Sequence, residues 1–173
     1  LGGGSGSLGL AANRWGRLAV TWYSHEGWDA AQYDMLSFDM AQAPGRTYRY
    51  YTGKPQWPFG FGLSYAELVL AAKYSAKAGA AAGAEGGTGK VLVSVTNKEP
   101  TRTADAVVLL YMEPVPGTVP ADVPAAALRR QLVAFERLGP IPPKSDASFA
   151  FELTAERVTL VDAVGAPVLY PGR

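Results

Sequence analysis

Alternating apolar and polar positions in the second half of the chain predict β-strands. The alternation is clear over 90–97 and over 149–153, which is typical of strands with one buried face. Residues 106–112 are apolar throughout and also predict a strand, with Val108, Leu110 and Met112 on one face and Val107, Leu109 and Tyr111 on the other. The other strand candidates are 66–74, 130–137, 158–161 and 167–170. Six or seven short strands in about 108 residues are typical of an immunoglobulin-like β-sandwich.

Residues 1–65 carry a strand-like pattern at one place only. Residues 18–23 (LAVTWY) are mostly apolar and predict a short strand buried on both faces. Residues 24–65 show neither helical nor alternating periodicity and are rich in aromatic residues, Gly and Pro. Because a loop of about 40 residues is uncommon inside a compact domain, we interpret this stretch as a connector that clings to neighbouring surfaces through its aromatic rings. Residues 76–89 are of low complexity, and their glycines disfavour a helix, so they predict a loop.

Composition and charge exclude several classes of protein. The 16 Lys and Arg residues against 15 Asp and Glu leave a net charge of +1, which argues against a nucleic-acid partner, since such a partner needs a basic face. The absence of Cys excludes disulfides and zinc–thiolate sites, and the single histidine, His25, excludes a multi-histidine metal site. No metal or cofactor is therefore predicted. No apolar run approaches the roughly 18–20 residues that span a bilayer, so no membrane association is predicted.

A glycine-rich motif near the start gives weak support for nucleotide binding. Residues 4–9 match G-x-G-x-x-G, and Asp29 lies 20 residues beyond Gly9. A dinucleotide site needs a strand before this motif and a helix after it, and the sequence shows neither pattern. We therefore interpret residues 4–9 as part of a flexible linker.

Two close pairs of carboxylates occur in the connector, Glu26 with Asp29 and Asp34 with Asp39. Paired carboxylates perform acid–base and nucleophilic chemistry, but acidic residues in loops are usually solvated or close Asx-type turns. His25 is a further candidate base, although the sequence reveals no partner arrangement around it. The sequence therefore predicts no catalytic residue here.

Aromatic side chains are dense between residues 22 and 65, and they allow two interpretations. Their faces could pack against sugar rings, with Trp28 and Trp57 as the candidate substrate-binding residues. Alternatively, they anchor the connector to neighbouring domains by burying large apolar areas, which is the interpretation we favour. Arg46 and Arg49 lie in the same stretch, and we expect them to pair with carboxylates or to stack on rings.

Residues 45–65 (GRTYRYYTGKPQWPFGFGLSY) resemble a segment of family 3 glycoside hydrolases, in particular of their plant and fungal β-xylosidase/β-glucosidase branch. In that family the segment links an α/β-sandwich domain to a terminal fibronectin type III-like domain. Residues 16–23 are similar to the family's G-R-L-P-V-T-W-Y-P motif, and residues 91–97, 105–112 and 131–138 are similar to strand motifs in the same order. The resemblance extends over about residues 14–170.

The resemblance implies a retaining exo-glycosidase that releases terminal β-linked sugars, as in xylan breakdown. It also implies that the nucleophilic aspartate and the acid/base glutamate lie upstream, in a (β/α)₈ barrel and in the α/β domain. None of the 15 acidic residues falls in a matching motif, so no catalytic residue is assigned to this chain. The implied partners are the catalytic domains of the same enzyme and an oligo- or polysaccharide substrate. The implied location is extracellular, in the cell wall or vacuolar.

The predicted fold class is mostly β: an immunoglobulin/fibronectin type III-like β-sandwich preceded by a remnant of an α/β-sandwich domain and a long aromatic connector. The predicted boundaries are 1–24 for the remnant, 25–65 for the connector and 66–173 for the sandwich, which lacks the family's final strand. The chain begins with Leu1 and shows no secretory leader pattern, so we expect a piece of a longer polypeptide. We expect a structural part of the hydrolase that is inactive alone. The alternative is a stand-alone module that binds carbohydrate or another partner without cutting it.

One departure from the family pattern predicts an interface. Leu109 replaces a polar glutamine that is usual in the family, so Val107, Leu109 and Tyr111 form an apolar outward face on their strand. We expect this face to pack against the catalytic domains of the intact enzyme.

Overall fold

The computed structural model describes residues 13, 15–26, 34, 36–76, 89–113, 115, 130–161 and 164–168. Within those residues the elements, in chain order, are β1 (Trp22–Tyr23), α1 (Thr47–Tyr50), β2 (Pro55–Trp57), β3 (Leu68–Ala76), β4 (Gly89–Asn97), β5 (Ala104–Met112), β6 (Gln131–Ile141), β7 (Ser145–Leu153), α2 (Ala155–Val158), β8 (Leu160–Val161) and β9 (Pro167–Val168). No helix of the described part of the chain has the length and apolar character needed to cross a membrane.

Two antiparallel sheets form the body of the molecule. One has the strand order β3–β4–β7, and the other consists of β5 and β6. In the first sheet β4 is paired on both sides, and its residue Val93 lies opposite Ala72 of β3 and Phe149 of β7. Residues 142–144 join β6 directly to β7, so the chain passes from one sheet to the other at this turn.

Among the described residues, a cluster of buried hydrophobic side chains lies between the two sheets. Its members come from strands β4 to β7 and are Val93, Val95, Ala106, Val108, Leu138, Ile141 and Phe151. Successive residues of a strand point to opposite faces, so the alternating apolar positions of β4 reach the core together. The prediction of a mostly β fold, with two sheets packed on one core, is confirmed.

A buried amide joins the loops at one end of the two sheets. Asn97, the last residue of β4, is completely buried. Its Nδ2 donates to the carbonyl oxygens of Arg102 at 2.8 Å, Ile141 at 3.0 Å and Pro142 at 3.1 Å. Its Oδ1 accepts from the backbone N–H of Glu99 at 3.0 Å. One side chain therefore satisfies backbone groups on both the β4–β5 loop and the β6–β7 turn.

The second sheet covers only part of the first. Leu70 and Tyr74 of β3 lie opposite Val95 and Val91, so they point to the same side as the core residues of β4. Yet Leu70 is 53% exposed and Tyr74 is 60% exposed, whereas Val95 is only 1% exposed. At the start of β3, Leu68 packs against the core. The described strands leave the rest of this side of β3, at Leu70 and Tyr74, largely uncovered.

The predicted strand over 18–23 needs correction. Only Trp22 and Tyr23 form a strand, β1, and it is not buried on both faces, since Val20 is 55% exposed and Trp22 is 51% exposed. The physical reason is that its ladder partner β2 has only three residues. The connector is also less irregular than predicted, because it contains the single-turn helix α1 and the strand β2.

The remaining strand predictions agree with the structure to within a few residues. The strands predicted over 66–74 and 130–137 correspond to β3 and β6, each of which runs further at its C-terminal end. The candidate over 158–161 begins as the last residue of α2 and continues as the short strand β8. Residues 77–88 of the predicted loop lie outside the described residues, and so does the glycine motif at 4–9.

Candidate interaction surface of the aromatic connector

The connector begins with two turns that its own acidic side chains close. Oδ1 of Asp34 accepts from the backbone N–H of Leu36 at 2.9 Å, and Oδ1 of Asp39 accepts from the backbone N–H of Ala41 at 2.9 Å. These are the Asx-type turns that the sequence predicts for acidic residues in loops. Of the other candidate acid–base residues, Glu26 and His25 are exposed, while Asp29 lies outside the described residues.

Arg46 binds to an earlier part of the connector. Its guanidinium donates to the backbone carbonyl of Ser37 at 2.9 Å and also to that of Asp34. The following residue, Thr47, has a φ of 62° and donates its backbone N–H to the phenolic oxygen of Tyr23 at 2.7 Å. The first half of the connector is therefore tied to β1, with Arg46 bonded to backbone carbonyls.

Three aromatic rings join the connector to the second sheet. The ring of Tyr48 stacks on Phe59 with 4.5 Å between centroids and meets the ring of Tyr111 edge-on at 5.9 Å. The Tyr48 oxygen also accepts from the backbone N–H of Leu132 in β6 at 3.1 Å. Burial is the main reason that the pKa of Tyr111 lies above its usual value; the neighbouring Tyr48 raises it further, while Arg130 opposes the shift.

The neighbouring residues of the connector add polar and close apolar contacts to the same sheet. Arg49 donates from Nη2 to Oε1 of Gln131 at 3.2 Å, and its guanidinium lies 5.4 Å from the centroid of the Tyr50 ring. Gly60 has a φ of +81°, and a Cβ placed there would lie 2.5 Å from the Cδ1 atom of Leu109. The backbone at Gly60 therefore lies directly against β5.

These contacts bear on the expectation for the outward face of β5. Val107, Leu109 and Tyr111 are half-buried in this chain, and the connector contacts Leu109 and Tyr111. Part of this face is therefore covered within the chain itself, and its packing against the catalytic domains stays a prediction. The sequence could not reveal this, because the connector residues that cover it lie about 50 residues upstream of β5.

A polar junction binds the residues before the connector to the end of the connector and to the second sheet. It is centred on Asn13, which is completely buried. The side chain of Asn13 donates to Oγ of Ser64 at 2.9 Å and accepts from the N–H of Tyr65 at 3.0 Å. Arg137 extends the junction by donating to Asp105 Oδ2 at 3.2 Å and to the carbonyl oxygen of Trp15 at 3.3 Å.

One side of the two-stranded β1–β2 ladder carries two partly exposed tryptophans. Trp22 and Trp57 lie opposite each other in the ladder, with ring centroids 5.5 Å apart and an interplanar angle of 73°. Trp22 is 51% exposed and Trp57 is 38% exposed. The candidate Trp57 is thus placed at the surface next to a residue that the sequence did not single out as a site. The other candidate, Trp28, lies outside the described residues.

Several contacts escaped the sequence interpretation. The density of aromatic residues predicted a connector whose rings pack on neighbouring surfaces. It did not show that Tyr48 faces the sandwich while Trp22 faces outward. The polar anchors Asn13 and Asn97 carry no sequence signal beyond the position of Asn97 at the end of a strand. Within the described residues, no group of three or more His, Cys, Asp or Glu side chains is arranged to hold a metal ion.

The chain matches parts of larger plant and fungal enzymes. It is 30% identical over 179 residues to the exo-1,4-beta-xylosidase xlnD of Emericella nidulans, a match that includes 91% of this chain and 21% of that protein. It is 47% identical over 58 residues to beta-D-xylosidase 1 of Arabidopsis thaliana, which includes 32% of this chain and 7% of that protein. The chain thus spans only 21% of the length of the fungal relative. No family model matches the chain.

Solved structures show the same fold. A GH3 exo-beta-xylosidase, XlnD, in complex with a xylobiose aziridine probe has a TM-score of 0.65 and 25% identity, with 92% of this chain and 22% of that chain superposed. The beta-glucosidase of Kluyveromyces marxianus has a TM-score of 0.55 and 22% identity over 69% of this chain and 14% of that chain. The second similarity concerns the fold alone.

Proposed function

Because the chain is a portion of a family 3 glycoside hydrolase by sequence and by fold, we propose that it forms the structural, non-catalytic end of an exo-acting β-xylosidase or β-glucosidase. The observation that carries this proposal is the contact of the connector with the second sheet: the ring of Tyr48, which stacks on Phe59, meets Tyr111, and the backbone at Gly60 lies against Leu109. These contacts hold the connector, which contains little secondary structure, in one position on the surface of the sandwich. In the intact enzyme this arrangement would hold neighbouring domains together during the release of terminal β-linked sugars.

We propose that the isolated chain does not hydrolyse glycosides. Retaining hydrolysis needs one carboxylate that attacks and a second that protonates the leaving group. Four of the described carboxylates have other contacts, which supports this proposal: Asp34 and Asp39 close turns, Asp105 binds Arg137, and Glu152 lies 2.6 Å from Lys90.

A direct assay tests this proposal. The purified chain is incubated with aryl β-xyloside and aryl β-glucoside, and the exo-1,4-beta-xylosidase of Emericella nidulans serves as the active control. We expect aryl release at the rate of the buffer blank. Hydrolysis by the purified chain, at a rate proportional to its concentration, would show that the proposal is wrong.

We further propose the division into a remnant of an α/β domain (1–24), the connector (25–65) and a fibronectin type III-like sandwich (66–173) that a further strand completes. The exposed inner side of β3 supports the last point, since Leu70 and Tyr74 face the core side of the sheet and no strand of the described part of the chain covers them. A strand added beside β5 would occupy that position. Hydrogen exchange tests the proposal of a further strand. In a chain extended by the next strand that its gene encodes, the backbone amides of β5 should exchange more slowly than they do in the 173-residue chain.

The exposed tryptophans favour one alternative, a stand-alone module that binds carbohydrate without cutting it. Trp57 is 38% exposed beside Trp22, and flat aromatic faces can pack against pyranose rings. This alternative predicts saturable binding to xylan or cellulose that is lost in Trp57→Ala or Trp28→Ala. The structural proposal predicts that the pull-down retains no more of the unmodified chain than of these variants.

We propose an extracellular, cell-wall or vacuolar location for the intact enzyme, where xylan and related polysaccharides occur. The similarity to fungal and plant xylosidases supports this location. Expression of the complete gene with a fluorescent tag in its own organism tests it. Retention of the tagged enzyme in the cytosol would contradict the proposal.

A further inference from the structure

We infer that two copies of this chain associate through the free edge of β3. The two β3 strands pair antiparallel and join the first sheets of both copies into one sheet of six strands. Within the described residues β3 pairs with β4 alone, so its other edge is available. This second copy lies beside β3 in the first sheet, whereas the further strand proposed above lies over β3 in the second sheet.

The strand β3 is exposed on both faces along most of its length. On the outer face Val69 is 40% exposed, and on the inner face Leu70 is 53% and Tyr74 is 60% exposed. Residues 71–73 and 75 are exposed as well, although each lies opposite a residue of β4. The ladder with β4 therefore holds β3 in the sheet while most of its side chains remain at the surface.

The free edge of β3 lacks the features that usually prevent strands of different molecules from pairing. Proteins protect such edges with proline, bulges, charges or very short strands. β3 has nine residues without a proline, its ladder with β4 runs without a register shift, and Lys73 is its one charged residue. Alternate residues of a strand direct their N–H and C=O groups away from its partner, so this edge offers a row of backbone groups to a further strand.

The ring of Tyr74 leaves this edge open. A Cβ placed at Gly89 of β4 would lie 2.6 Å from the Cε2 atom of Tyr74, so the ring lies over the backbone of Gly89. The Tyr74 side chain therefore points towards β4 and away from the free edge. A strand of a second copy can approach the edge without displacing it.

The order of side chains along β3 identifies the occupant as a second copy of the same strand. In an antiparallel pair centred on Ala72, Leu70 of each copy lies opposite Tyr74 of the other. Such cross-strand pairs of large side chains stabilise a sheet. Lys73 lies opposite Ala71 of the second copy, so the two lysines do not face each other directly. The strand is therefore complementary to itself.

The other strand edges are less suited to such a pair. β7, at the opposite edge of the first sheet, carries Asp146 and Glu152, and an antiparallel pair centred on Phe149 would set these carboxylates opposite each other. β6, in the second sheet, contains Pro140, which has no backbone N–H to donate. Of these three strands, β3 therefore fits a symmetric pair best.

The mass of the 173-residue chain in solution tests the inference. In sedimentation equilibrium at rising protein concentration, we expect the mass to approach twice the 18.3 kDa of one chain. Ala72→Lys sets two like charges opposite each other at the symmetry axis, and so does Ala72→Glu; each should weaken association about tenfold or more. A mixture of these two variants should associate again. Ala150→Lys, at an exposed alanine of β7, is the matched control and should behave like the unmodified chain.

A disulfide tests the register, since the chain has no cysteine of its own. Directly opposite residues of antiparallel strands have Cα atoms about 4.5–5.5 Å apart, within the range of a disulfide. Ala72→Cys should therefore form a covalent dimer on mild oxidation. Ser75→Cys lies opposite Val69 of the second copy, so it is the control that should remain uncrosslinked.

The outcomes that would overturn the inference are distinct. A mass of one chain at every concentration would exclude the dimer. A dimer that neither Ala72 charge variant weakens, or that Ala72→Cys does not cross-link, would form through another surface. Assemblies larger than two chains would contradict a closed pair. Circular dichroism checks that the Ala72 variants are folded, as expected for an exposed side chain; if the charged variants do not fold, cross-linking of Ala72→Cys decides.

Discussion

The sandwich and the connector are stabilised in different ways. In the sandwich, long ladders place aliphatic side chains such as Val95 and Ile141 in a core where each is 1% exposed. In the described part of the connector, Gly45 is the one buried residue, and order comes from ring contacts and from side chains that bind backbone groups. The sandwich is therefore stabilised by its own hydrophobic core, whereas the conformation of the connector depends on its contacts with the surface of the sandwich.

The largest effect is expected in the core of the sandwich. Ile141→Ala removes a completely buried side chain, and we expect the free energy of unfolding to fall by about 2–5 kcal/mol. Leu70→Ala is the matched control, because Leu70 points to the same side of the first sheet but is 53% exposed; its cost should stay within about 1 kcal/mol. Urea unfolding followed by circular dichroism measures both. Equal losses of unfolding free energy in the two variants would mean that the side of β3 that carries Leu70 is covered in solution.

The next largest effect is expected at the buried amide. Asn97→Ala leaves the carbonyl oxygens of Arg102, Ile141 and Pro142 without their shared donor, and we expect a loss of about 1–3 kcal/mol. The same urea titration measures it, with the exposed neighbour Lys98→Ala as the control. A loss no greater than that of the control would show that water replaces the amide.

A smaller and more local effect is expected where the connector meets β5. Gly60→Ala places a methyl group against Leu109 at a residue with a φ of +81°, so the contact should open while the core stays folded. The backbone N–H of Leu132, which donates to Tyr48, should then exchange with deuterium about tenfold faster. Gly16→Ala is the control, since a Cβ there has no atom within 4 Å. Unchanged exchange at Leu132 would contradict the contact.

The smallest effect is expected from the Tyr111 phenol at alkaline pH. Its pKa is raised in the folded chain, so the stabilisation is complete below the ordinary tyrosine pKa of about 10 and is lost as the pH rises above it. Tyr111→Phe should therefore lose less stability than the unmodified chain between about pH 9 and 11. Tyr74→Phe, which removes a 60% exposed phenol, is the control. If the free energy of unfolding depends on pH in the same way in all three proteins, the burial of the Tyr111 phenol has no effect on stability.

How far the sequence could predict the structure depends on the range of the interactions involved. Strands β4 and β7 are predictable because alternation is a local property, and the turns at Asp34 and Asp39 are predictable because an acidic side chain reaches only two residues along the chain. The strand over 18–23 is predicted too long, because hydropathy shows that residues can be buried but not whether a partner strand is present to bury them.

The candidate site depended on contacts that no local pattern encodes. The sequence named Trp57 among nearby aromatic residues, but it could not show that Trp22 lies opposite it in a ladder. Nor could it show that Tyr48 leaves that surface to stack on Phe59 and meet Tyr111, since Tyr48 and Tyr111 are far apart in the chain. Asn13 was not singled out at all, because a buried amide differs from an exposed one only in its surroundings.

The sequence by itself determined the class of the fold and the family, because alternation, turn residues and the segment at 45–65 are written in the order of the residues. Only the tertiary structure decided which side of each apolar element is covered. The strands β3 and β4 carry similar apolar patterns, yet Leu70 is exposed and Val95 is buried. Burial is a property of neighbours that are distant in the chain, and the chain path that brings them together is not contained in any short stretch of sequence.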